Sequence, residues 1–240
     1  MFSIRGVKEG CGLYGIEHFV LFILTITIIF IVLHFTKRFN HNQVQKVLKI
    51  TCILLWILEI IKIVFVLQFT PLIRVNEYLP LYFCSMLLYA LLLSNLKNKY
   101  LRRVGDVFLA TGGLIGGIIF LIMPTTSLPY YPAYHFISIH SFLFHGTMIY
   151  LGLLLNITGY IKLKLNDIYY YAALVLFLSI IALIINNIFN SNLMFISKDF
   201  PGTPIHIIYN LSGIFFTPIM ITGQMTLPFL IIYYLIKKFK

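Results

Sequence analysis

Long apolar runs alternate along the chain with short polar, basic segments. Runs of about 18 residues or more are what a helix needs to cross the hydrocarbon core of a bilayer. On that pattern seven spans are expected, at residues 18–35, 47–69, 78–95, 104–123, 135–155, 168–188 and 207–236. The expected fold class is an all-α membrane protein, a single polytopic domain over residues 1–240 with short connections. The last run is overlong and holds Pro218 and Pro228. Proline breaks the helical hydrogen-bond ladder, so this span is expected to begin as a re-entrant or kinked segment.

The distribution of basic residues orients these spans. Lys37, Arg38, Lys46 and Lys49 fall around the first connection, Lys97, Lys99, Arg102 and Arg103 in the third, and Lys162 and Lys164 in the fifth. Lys237, Lys238 and Lys240 follow the last span. Only Arg5, Lys8, Arg74 and Lys198 lie on the other side, and Lys62 is inside a span. The positive-inside rule then predicts an outside N-terminus and a cytoplasmic C-terminus. No signal peptide is expected, because the first run is long enough to span and no small-residue cleavage site follows it.

Composition agrees with this reading. The chain of 240 residues is 60% hydrophobic and 10% charged, with a mean hydropathy of +0.95. The net charge of +11 does not point to nucleic acid, because the basic residues lie between spans and no stacking aromatics interleave with them. Cys11, Cys52 and Cys84 are an odd set without CxxC spacing, which argues against a disulfide framework or zinc ribbon. No Walker loop or acidic cluster is present, and no metal, nucleotide or other cofactor is expected.

Ionisable groups inside the bilayer are expensive and are functional candidates by default. His135, His140 and His145 fall within eleven residues around the fifth span. At 100° per residue, His135 and His145 lie about 80° apart and His140 about 140° from each. A metal cluster built on this one helix is therefore not expected, and His135 with His145 reads as one inward wall. The plainer alternative is that one or two of the three only bond a neighbouring helix. Haem would need two facing histidines at one depth, and only His18 with His135 comes near.

By the predicted topology, Cys84 lies about 9 Å and His145 about 15 Å into spans that enter from the outside, at 1.5 Å per residue. Asn186, Asn187 and His18 lie at the outer ends of their spans. One polar set thus gathers in the outer half of the bilayer. A cysteine becomes a nucleophile when a base takes its proton, and a histidine at similar depth could be that base; a lone buried cysteine is otherwise a small hydrophobe. Glu59 and Lys62, three apart, read as a structural ion pair or a proton relay. Gly112, Gly113, Gly116 and Gly117 read as close helix packing. The loop from Phe189 to Pro201, with Asn192, either caps a headgroup pocket or is a plain connection.

The order Pro80-Leu81-Tyr82-Phe83-Cys84, then Tyr134-His135-Phe136 with His145-Gly146 ten residues on, then Asn192-Leu193-Met194-Phe195, resembles the YwaF-like bacterial membrane proteins. That family is related to a eukaryotic transmembrane acyltransferase acting on ether phospholipids. The resemblance spans most of the chain. It implies a seven-span enzyme of the bacterial plasma membrane that moves acyl chains between phospholipids, with Cys84 and His145 as the catalytic pair. Membrane phospholipids and a lysolipid acceptor would be its partners. Relatives carry a histidine where Tyr82 stands and an aromatic where Leu193 stands, which bears on substrate preference. His135, His140, His18, Tyr82, Asn187 and Asn192 are the expected substrate-binding residues. The competing expectations are a small-solute or lipid transporter without covalent chemistry, a structural membrane subunit, and lipoprotein N-acylation by the same dyad.

Overall fold

The computed structural model describes residues 9–238; residues 1–8 and 239–240, with Arg5, Lys8 and Lys240 of the charge count, lie outside the described residues. All regular structure among the described residues is helical. The chain runs α1 (Ile16–Thr36), α2 (His41–Leu67), the single turn α3 (Val75–Tyr78), α4 (Met86–Ser94), α5 (Lys99–Phe108), α6 (Leu114–Ile122), α7 (Phe136–Ile157), α8 (Ile168–Phe189), α9 (Pro204–Ser212) and α10 (Phe216–Lys238). A π-helical turn, Leu109–Gly113, joins α5 to α6 without a break. Counting joined segments together, six helical stretches among the described residues are long and apolar enough to cross a membrane.

The predicted third span departs from this pattern. Instead of a helix over 78–95, the chain makes an irregular turn through Pro80 and becomes helical only at Met86. Proline pushes the residue before it out of the helical region, and Leu79 accordingly sits at φ −75°, ψ 123°. The depth reckoned for Cys84 at a helical rise does not apply, because Cys84 lies in that turn.

The last span also breaks elsewhere than at its prolines. The break is at Gly213, whose φ of +52° and ψ of −124° suit a residue without a Cβ. Pro218 sits in the first turn of α10, where an amide would lack an intrahelical partner anyway. Pro228 is inside α10 and frees the carbonyl four residues back, that of Gln224. The Tyr171 hydroxyl on α8 donates to that carbonyl at 3.1 Å. A neighbouring helix thus satisfies the group, and α10 continues.

Hydrogen bonds gather the connections at two ends. At the basic end, Gln45 donates to the Ser94 carbonyl and to Asn95 Oδ1, each at 3.2 Å, and Tyr160 bonds Gln45. Arg103 grips Asp167 through Nε at 2.9 Å and Nη2 at 2.5 Å. At the opposite end the Gly12 amide donates to the Leu128 carbonyl at 3.1 Å, and the Asn192 amide to Asn76 Oδ1 at 2.9 Å. The Asn40 capping box starts α2. The α5–α6 span lies deepest, with α4 and α7 against it, whereas α1 and α2 keep long apolar faces exposed, as lipid-facing helices do.

Glycines set the distances between the inner helices. A Cβ on Gly105 would lie 2.3 Å from the Ala90 carbonyl oxygen, and one on Gly117 would lie 2.7 Å from that of His145. Gly112 meets the Tyr171 ring in the same way, at 2.7 Å.

Candidate functional site

A cavity of about 490 Å³ opens at the end opposite the basic connections. Residues from α2, from α3, from the turn before α4, from α7 and from three loops meet around it. Cys84, His145, His140, Tyr82 and Asn192, all singled out by sequence, line it, together with Glu59, Lys62, Ser85 and Ser141.

Cys84 is partly exposed and immediately precedes Ser85, the N-cap of α4. The positive end of that helix dipole therefore lies beside the thiol. His145 is buried on α7, and its orientation is tightly determined. Its Nδ1 lies 2.7 Å from the Ser141 carbonyl oxygen, a contact only an N–H can make favourably. That selects the tautomer whose Nε2 carries the lone pair. Phe120 lies flat on the ring, with centroids 3.6 Å apart and planes inclined by 9°.

His140 also lines the cavity, although 140° of helical rotation separates it from His145. Its Nε2 lies 3.5 Å from Glu59 Oε2. Glu59 is 2% exposed and is bonded by Lys62 one turn along α2. The sequence offered this acid–base pair as a feature of α2 alone. The crossing of α2 with α7 brings it to the histidines, which no periodicity within α2 could reveal.

His135, expected on an inward wall, is fully buried but is not itself among the residues that line the cavity. It precedes the first turn of α7 as its N-cap, and its Nδ1 accepts from the Ile137 amide at 3.1 Å. Its ring stacks on Tyr131 with centroids 4.4 Å apart. Rotation at 100° per residue does not extend to a residue outside the helix. His18 is held away from the cavity, with Nε2 2.9 Å from the Leu121 carbonyl oxygen and Nδ1 accepting from the Tyr14 amide.

Asn187 is exposed, and the neighbouring Asn186 does the organising work. Its Nδ2 donates to the Leu193 carbonyl at 3.1 Å and to Ser197 Oγ at 2.7 Å. Its Oδ1 accepts from Ser191 Oγ and the Leu193 amide, both at 2.7 Å. Asn192 is likewise engaged within the loop, accepting from the Ser197 and Lys198 amides and donating to the Lys198 carbonyl. The loop that results holds Met194 and Phe195 at φ of 57° and 55°, strained values for such side chains. Phe195 reaches the cavity wall and packs on Tyr82 with centroids 5.0 Å apart and on Phe200 at 4.6 Å. The Tyr82 hydroxyl donates to the Asn76 carbonyl at 3.0 Å.

No curated protein and no solved structure matches the chain. The model of the TMEM164 family matches residues 13–236, a stretch that takes in all six long apolar stretches but for the last residues of α10, and the whole cavity. With that match across nearly its full length, this multi-pass membrane protein belongs to the TMEM164 family.

Proposed function

We propose that this protein is an integral membrane acyltransferase or transacylase that moves a fatty acyl chain between phospholipids. The observation that carries the reading is that Cys84 and an Nε2-basic His145 line one cavity. His145 Nε2 takes the thiol proton as Cys84 Sγ attacks the acyl ester carbonyl of a donor lipid. The carbon–oxygen bond breaks, the proton passes to the departing lysolipid oxygen, and an acyl-thioester remains on Cys84. The N-terminus of α4 supplies positive potential where the tetrahedral oxyanion develops. A lysolipid hydroxyl then attacks the thioester and receives the chain.

In the same reading residues 79–94 form a seventh crossing, with the N-terminus outside, the basic end in the cytoplasm and the cavity in the outer half of a bacterial plasma membrane. Donor lipid enters sideways between spans. The irregular turn before α4 and the break at Gly213 are also what a transporter uses, and a solute or lipid carrier without covalent chemistry is the second reading. Transfer to a lipoprotein amine would use the same dyad.

Intact mass of the purified protein after incubation with a defined phosphatidylcholine separates these. An acyl adduct, removed by hydroxylamine and absent from Cys84→Ala and His145→Ala, is expected. Binding without any adduct, retained in Cys84→Ala, would favour the carrier.

A further inference from the structure

The first half of the reaction just described leaves one buried group set unused. Glu59, Lys62 and His140 line the cavity with Cys84 and His145, yet thiol activation needs none of them. A carboxylate and an ammonium inside an apolar helix are each costly to desolvate and need partners. Lys62 answers one oxygen of Glu59. The other oxygen lies 3.5 Å from His140 Nε2, and that nitrogen is buried without a hydrogen-bond partner among the described residues. A neutral imidazole whose nitrogen is free, with a carboxylate within ion-pair reach, is set up to accept a proton and to be stabilised once it has done so.

We infer that His140 is a second base, dedicated to the acyl acceptor, and that Glu59, fixed by Lys62, is its positioning residue. The inference rests on the acyl-thioester reading. The two imidazoles are five positions apart on α7, so they serve different parts of one cavity. The acceptor hydroxyl oxygen attacks the thioester carbonyl carbon, and its proton goes to His140 Nε2. A carbon–oxygen bond forms, the carbon–sulfur bond breaks, and the Cys84 thiolate leaves. The imidazolium pairs with Glu59 until its proton returns to the thiolate, which restores both groups. His145 governs loading of the enzyme, and His140 governs its discharge.

The test follows the two half-reactions separately by time-resolved intact mass. The protein is first loaded from phosphatidylcholine, and lysophosphatidylcholine with a deuterated headgroup is then added. In His140→Gln and Glu59→Gln the adduct is expected to form at nearly the wild-type rate, with discharge slowed by about 100-fold and about tenfold respectively. Glu59→Asp, which keeps the charge but draws it back from His140, is the milder variant and should slow discharge alone, by about threefold. Because loading reports an intact fold, a variant that merely misfolds slows both steps. Equal slowing of loading and discharge in Glu59→Asp, or unchanged discharge in His140→Gln, overturns the assignment. Absence of any adduct on the wild-type protein overturns the acyl-thioester reading instead, and this inference with it.

Discussion

Phe120 lies parallel to His145, ring centroids 3.6 Å apart, so a residue of α6 fixes the imidazole that faces the cavity from α7. The contact adds to the Nδ1 bond with the Ser141 carbonyl, and the ring has little room to tilt. Such stacking is worth about 0.5–1.5 kcal/mol beyond burial. Phe120→Leu keeps the bulk and loses the plane. On the acyl-thioester chemistry proposed above, it should slow acyl-adduct formation about tenfold, since small misplacements of a proton-accepting group cost this much or more. The rate of adduct appearance in intact mass measures it, and an unchanged rate would leave Phe120 as packing only.

Gly117 lets α6 approach α7 at the level of His145, where an added Cβ would meet backbone and the Ile149 side chain at 2.7 Å. Gly117→Ala is expected to cost about 1–3 kcal/mol through overpacking. Gly223→Ala, with its nearest neighbour at 3.8 Å, should be neutral. Thermal unfolding of the two variants in the same detergent compares them directly.

Asn186 makes four side-chain bonds to the loop that carries Phe195. Asn186→Ala leaves several buried groups unpaired, a loss of about 1–3 kcal/mol for such a site. Asn187→Ala should have no effect. Limited proteolysis is the readout, with cleavage between residues 190 and 203 expected to accelerate only in Asn186→Ala.

Cys11 lies before the first span, with Sγ 3.8 Å from the Tyr131 carbonyl oxygen. Burial raises its thiol above the ordinary cysteine value, which lowers the thiolate fraction at any given pH. Alkylation by a maleimide should therefore be slower than for a free thiol at pH 7.5, and should rise about tenfold per pH unit until the thiol ionises. The rate in a Cys52→Ser/Cys84→Ser background gives the profile. A plateau already below pH 8 would contradict it.

Much of this architecture was legible in the chain. Apolar runs the length of a bilayer can be only helices, because lipid offers no partner to a backbone amide, and five of the seven expected spans appear as continuous helical segments close to the expected bounds. Cys84, His140 and His145 were also identifiable, because such side chains are conspicuous within apolar runs, whereas Tyr82 came forward only through the family resemblance and Asn192 as part of a polar loop. Hydropathy averages, however, cannot see a single backbone angle. Residues 78–95 are apolar enough for a span, but Pro80 bars the first turns. Residues 207–236 draw attention to their prolines, whereas the backbone turns at Gly213. Pro228 is tolerated because Tyr171, 53 positions before Gln224, supplies a hydroxyl to the carbonyl that the proline frees.

The sequence by itself determined that the chain is a bundle of membrane helices with most of its basic residues at one end, since both follow from transfer of side chains and backbone into hydrocarbon. Only the tertiary structure decided which polar groups share the cavity. Glu59 reaches His140 because α2 crosses α7. His135 caps α7 and packs on the cavity-lining Tyr131 because the helix starts one residue after it. Asn186 rather than Asn187 holds the loop because one faces the bundle and the other faces away. Each depends on where two helices meet and how each is rotated about its axis, and that is set by packing across the bundle, by glycines such as Gly117 and rings such as Phe120, rather than by any local pattern.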